Sequence, residues 1–168
     1  MPTHLERLPE AFGYDAGREL DEALRIITHC VTQLTEDQLW WRPSESMNSI
    51  ANLLLHLSGN VRQWIISGVG GVPDNRQRQR EFDERNAIPR SRLLQQIEGT
   101  VAEAKTVLAD QSAEELLRVR CVQGYDVSGM QAAFHSVSHF RGHTQEVVHM
   151  TRCQLGDDYE FDFVPPVA

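Results

Sequence analysis

Apolar residues recur at three- and four-residue steps in four stretches of the chain, the spacing of helices that each bury one face. Leu20, Ala23, Leu24, Ile27, Val31 and Leu34 predict a first helix over residues 15–34. Ile50, Leu54, Leu57, Val61, Trp64 and Ile65 predict a second, starting at Asn48 or Ser49 and ending at Ser67, before Gly68, Gly70 and Gly71. Leu93, Leu94, Ile97, Val101, Ala104 and Leu108 mark a third over residues 91–109, and a fourth begins near Ser128 and continues to Cys153. No internal repeat is visible. The expectation is an all-α four-helix bundle forming one domain over residues 1–168.

The connections carry their own signals. Trp40-Trp41-Arg42-Pro43 reads as a connector, because Pro43 disfavours a helical residue before it and cannot sit inside a helix. Residues 68–90 hold three glycines, Pro73, Pro89 and an arginine-rich run without helical apolar spacing. So long a loop needs a reason. If the second and third helices run parallel, the chain must return along the bundle, about 30 Å for a 20-residue helix. Residues 111–127 read as a second long connection, with a helical turn at 113–117 and an extended piece at 119–122 near Gly124-Tyr125. The tail, residues 156–166, alternates apolar and acidic positions and is expected to pack as an irregular arm.

Composition narrows the function classes. Acidic residues outnumber basic ones 24 to 16, a net charge of −8, which repels a polyanion and argues against nucleic acid as partner. With 40% hydrophobic and 24% charged residues the chain matches a soluble globular domain. Neither a basic leader followed by an apolar run nor a stretch of about 18 apolar residues is present, so no secretion or membrane span is expected. Cys30, Cys121 and Cys153 are odd in number and form no Cys-x-x-Cys pair. That pattern suggests neither disulfides nor a thiolate zinc site, and a cytoplasmic location is expected.

The chemistry concentrates in histidines. His135, His139 and His143 are spaced four apart on the fourth helix, so neighbours in the series share one face. Two imidazoles at i and i+4 suit one ion of zinc, nickel or another borderline metal. All three span about 12 Å of helix, too far for a single ion, so the pair is either His135 with His139 or His139 with His143. A third ligand is available in His56, within a stripe of Ser49, Asn52, His56, Asn60 and Gln63 on the second helix. This stripe is either the wet side of an amphipathic helix or a polar pocket between helices. Three histidines with an open position would make a catalytic type of metal site.

Glu146, three residues beyond His143, can orient a ligand or act as a base, or can simply be a surface glutamate. In the crossover, Arg76, Arg78, Arg80, Arg85, Arg90 and Arg92 stand against Asp74, Glu81, Asp83 and Glu84. A solvated loop with internal ion pairs is expected there, the alternative being that one or two arginines hold an anionic substrate group near the metal. Trp40 and Trp41 are expected to fill core or make a dimer contact.

Three segments together resemble the DinB-like superfamily of metal-binding four-helix bundles. They are Leu34-Thr35-Glu36-Asp37-Gln38-Leu39-Trp40-Trp41-Arg42-Pro43, Met47-Asn48-Ser49-Ile50-Ala51-Asn52-Leu53-Leu54-Leu55-His56-Leu57, and Val137-Ser138-His139-Phe140-Arg141-Gly142-His143-Thr144-Gln145. The resemblance runs from about residue 15 to 153. It implies an up-down-down-up bundle with a long crossover between helices two and three, and a homodimer. It also implies one divalent metal, zinc or nickel, on His56, His139 and His143, with His135 as the alternative register. Where the superfamily commonly continues its last histidine with x-Gly-Gln, this chain has Thr144-Gln145-Glu146.

Relatives include bacillithiol S-transferases and a mycothiol-dependent maleylpyruvate isomerase. The resemblance therefore implies a metal-dependent enzyme acting on a small-molecule substrate, a thiol S-transferase with a low-molecular-weight thiol cosubstrate or a hydrolase, with Glu146 as candidate catalytic residue. The alternative is a non-catalytic, stress-related binding protein whose metal is structural or absent.

Overall fold

A computed structural model describes Thr3 and residues 7–163. Most of the N-terminal stretch and Val164-Pro165-Pro166 of the tail lie outside them. The elements are α1 (Leu8–Thr32), α2 (Glu36–Trp40), α3 (Ile50–Val61) extended by a π-helical turn (Arg62–Ser67), and α4 (Arg78–Asp83). They continue with α5 (Arg90–Ala109), α6 (Ala113–Leu117), β1 (Val119–Val122), β2 (Tyr125–Ser128) and α7 (Gly129–Leu155). The four long helices are those expected, and a short antiparallel hairpin, β1 with β2, stands on the second connection.

α1 begins at Leu8 instead of residue 15. Pro9 occupies its first turn, where a missing N–H costs nothing, and Gly13 and Ala16 extend the buried face. A Cβ on Gly13 would collide with the Leu108 carbonyl, so glycine lets α1 approach the end of α5. The connector is partly helical: Thr35 and Gln38 form a capping box that starts α2, and the chain turns extended at Trp41. The crossover contains α4, so it is not a bare loop.

Helix directions follow from side-chain pairs. Asp21 of α1 meets Lys105 of α5, while Val31 and Leu34 carbonyls accept from Arg90, so α1 and α5 are antiparallel. Glu19 meets Arg141 and Cys30 meets Tyr159, just past the end of α7, so α1 and α7 are parallel. Asn60 accepts from Ser136 while His56 meets His139, so α3 and α7 are antiparallel. α3 and α5 are therefore parallel, and the bundle is up-down-down-up. The crossover exists to make that parallel step.

α1 packs against α5 and α7, and so does α3. In α3 all residues except Leu55 and Gly59 are buried, so its polar stripe is not a wet face. The π turn then buries four consecutive residues, Gln63, Trp64, Ile65 and Ile66, which the wider turn spreads toward both neighbouring helices. The tail does form an arm. Tyr159 covers Cys30, Gln33 brackets the Glu160 backbone, and Arg25 pairs with Asp162.

Candidate metal centre

The site is built outward from the start of α3. Ser49 and Asn52 form a capping box that fixes the first turn. The Asn52 amide also donates to the carbonyls of Glu81 (2.8 Å) and Glu84 (3.2 Å), which pins α4 across α3. One turn after Asn52 comes His56. The pinned α4 lays the Phe82 ring 4.7 Å from the His56 ring and brings Glu81 Oε2 to 3.0 Å from His56 Nδ1.

From α7, His139 and His143 come to meet His56. The Nε2 atoms of His56 and His139 are 2.9 Å apart, the rings of His139 and His143 are 4.5 Å apart, and those of His56 and His143 are 5.3 Å apart. Ligand nitrogens of all three lie within 4.8 Å of one another, so the triad can hold one metal ion. His135 is turned differently. Its ring lies 4.1 Å from Trp64 and 5.9 Å from His139, and it is not part of the cluster.

The outer nitrogens of two of the three imidazoles are occupied by carboxylates. Glu81 takes Nδ1 of His56, and Glu146 Oε2 lies 2.6 Å from Nδ1 of His143. A carboxylate on the far nitrogen fixes the tautomer, leaves Nε2 free to bind a metal and raises its basicity. Burial pushes the His56 imidazole down against the pull of Glu81, and burial together with His143 and His56 pushes His139 down to about 4. Both are thus neutral near pH 7, the form that ligates. The donor set, three imidazoles with carboxylates behind two of them, fits a borderline divalent ion.

The support behind His56 was not legible in the sequence. Arg76 binds both oxygens of Glu81 at 2.7 Å, donates to Gln63 Oε1 at 2.9 Å, and is only 3% exposed. Gln63, on the π turn, donates in turn to Asp74 at 2.7 Å. Burial alone would raise the Glu81 carboxyl, but its bonds to Arg76 and His56 prevail and hold it below the ordinary carboxylate range. Gly59 makes room for this pair, since a Cβ there would overlap the Glu81 carboxylate.

The crossover is therefore not simply a solvated loop. Arg76 is buried against Glu81, Arg90 caps α1 carbonyls, and Arg78 lies 4.8 Å over the Phe82 ring. Trp40 donates to the Ile88 carbonyl from a half-buried position, whereas Trp41 is exposed.

The family model for the protein of unknown function family DUF1572 matches residues 12–167. The chain belongs to this family. DUF1572 is a DinB-like family, so the resemblance read from the three sequence segments is correct. No curated protein matches this DUF1572 chain. Among solved structures, a DinB-like protein, YjoA from Bacillus subtilis, matches with a TM-score of 0.66 at 13% identity, over 89% of this chain and 96% of that one. At that identity the match speaks for a shared fold. No helix among the described residues of this DUF1572 chain is long and apolar enough to cross a membrane.

Proposed function

We propose that this DUF1572 protein is a metal-dependent enzyme whose single divalent ion, zinc or nickel, is held by His56, His139 and His143. The observation that carries the reading is the convergence of three imidazoles from two helices, with Glu81 and Glu146 on the outer nitrogens of two of them. When bound, the ion supplies Lewis acidity that lowers the pKa of a thiol or a water molecule near neutral pH.

The remaining roles belong to the chain. Glu81 keeps the His56 proton on Nδ1, and Arg76 keeps Glu81 ionised. Glu146 Oε2 orients His143 from its outer nitrogen. The chemistry supported is activation of a low-molecular-weight thiol for S-transfer, or of water for hydrolysis. Three free cysteines support a reducing, cytoplasmic setting. A homodimer is proposed with it, supported by the resemblance and by the exposed Phe161 and Phe163.

Elemental analysis by inductively coupled plasma mass spectrometry on untagged protein tests the reading. The expected result is about one equivalent of zinc or nickel, lost in His56→Ala and His139→Ala. Metal-loaded protein is then incubated with bacillithiol or glutathione and monochlorobimane. No metal after reconstitution would leave a non-catalytic binding module, and no metal-dependent rate with any thiol would remove the transferase version.

A further inference from the structure

Two groups compete for the outer nitrogen of His56. Glu81 Oε2 lies 3.0 Å from Nδ1, and Arg76 Nη2 lies 3.1 Å from the same atom. A carboxylate there accepts the Nδ1 proton and leaves Nε2 bare, whereas a guanidinium donates to Nδ1 and sends the imidazole proton to Nε2. Only the first arrangement offers an ion the Nε2 lone pair. Distance does not separate the two competitors, so the outcome depends on where the guanidinium is committed.

That commitment is set from two turns further along the helix. His56 and Gln63 share one face about 10 Å apart, and Arg76 spans the gap between them. Its Nε and Nη2 bind the two Glu81 oxygens at 2.7 Å each, while Nη1 donates to Gln63 Oε1 at 2.9 Å. Gly59 forms the floor of the gap, where a Cβ would collide with both side chains. The buried Gln63 amide is not free to turn round. Its Nε2 donates to Asp74 Oδ2 at 2.7 Å, and Asp74 Oδ1 accepts from the Arg76 backbone N–H at 2.9 Å. One carboxylate therefore fixes the Arg76 backbone and also makes the amide present its oxygen to the guanidinium.

We propose that Gln63 and Asp74 are positioning residues of the metal centre, which draw Arg76 onto Glu81 and off His56 Nδ1 and so keep the His56 proton on Nδ1. Neither forms a hydrogen bond to a triad histidine among the described residues, so both act through Arg76. As a service to an ion this rests on the metal-centre reading. The proton arrangement does not, and it is read in metal-free protein.

Long-range ¹H–¹⁵N correlation on histidine-labelled, metal-free protein distinguishes the two tautomers at about pH 8, where an ordinary imidazole is neutral. His56 is assigned by its absence in His56→Gln, and its proton is expected on Nδ1. Gln63→Leu removes the acceptor for Arg76. Asp74→Asn, at an exposed position where the fold is retained, turns the Gln63 amide round and aims its donors at Arg76. Both variants should bring up the Nε2–H form and weaken zinc binding about tenfold against a chromophoric chelator. Combining Gln63→Glu with Asp74→Asn exchanges amide and carboxylate, so the bonds among Gln63, Asp74 and Arg76 can all be remade, and both readings should return. A His56 proton that stays on Nδ1 in Gln63→Leu and Asp74→Asn overturns the proposal. So does a combined variant as weak as Asp74→Asn alone, because the hydrogen-bond pattern would then not be what matters. Zinc uptake by the unsubstituted protein reports separately: none, with the tautomers moving as expected, would remove the ion and leave the control of the His56 proton standing.

Discussion

Glu81 reaches His56 from 25 positions away in the chain, and its Oε2 stands 3.0 Å from His56 Nδ1. The contact carries a ligand's orientation from α4 to α3, and Arg76 makes it durable by holding both carboxylate oxygens. Glu81→Gln keeps the shape but loses the charge. Such outer partners typically contribute about 10–100-fold to metal affinity, so competition with a chromophoric chelator should show a loss of that size. An unchanged affinity would reduce Glu81 to packing.

Removing Arg76 is expected to act on stability. Arg76→Ala leaves Glu81 a buried carboxylate with its main partner gone, and breaking a buried pair costs about 3–5 kcal/mol. Urea unfolding of metal-free protein measures it. The double variant Arg76→Met with Glu81→Leu should recover most of the loss, since the unpaired charge is then absent.

Two glycines separate backbone propensity from close approach. Gly99 in α5 has nothing within 4 Å of the point a Cβ would occupy, so Gly99→Ala should stabilise by up to about 1 kcal/mol. Gly59→Ala gains the same propensity but drives into Glu81 and Arg76, and overpacking of about 1–3 kcal/mol outweighs it. Thermal melts should move in opposite directions, and metal affinity should fall only in Gly59→Ala.

The choice of register is testable on α7 alone. His143→Ala removes a member of the triad, whereas His135→Ala removes a ring that packs on Trp64. Metal should be lost in the first and retained in the second. The reverse result would assign the ion to His135 and His139.

The pH dependence has a definite sign. In the folded metal-free protein His139 titrates at about 4, and in the unfolded chain near its ordinary value of about 6.5. Between those values the unfolded state binds the extra proton, so stability is fully present above about 6.5 and falls as pH drops toward 4. His139→Gln should flatten this window in denaturant melts. Metal loading should fall with acid as well, because protons compete for the imidazoles; loading that stays flat from about pH 8 to 4.5 would contradict the histidine site.

Local pattern determined the four long helices, the start of α3 at Ser49, the turn of helix at residues 113–117 and the strand beginning at Val119. It also placed His56, His139 and His143 on two helices, because a four-residue step is a property of helix geometry whatever the helix packs against. Periodicity cannot say what lies opposite. That is why the Ser49-to-Gln63 stripe read equally as wet face or buried pocket until α4 closed over it. The same holds for His135 and His143, which are equivalent neighbours of His139 along the helix and differ only because one meets Trp64 and the other meets His56. Arg76 and Glu81 lie in a charged stretch with no apolar period, and their burial depends on a crossover folded back onto α3. Tertiary structure alone decided which of many alternating charges in that stretch became the support of the histidine triad.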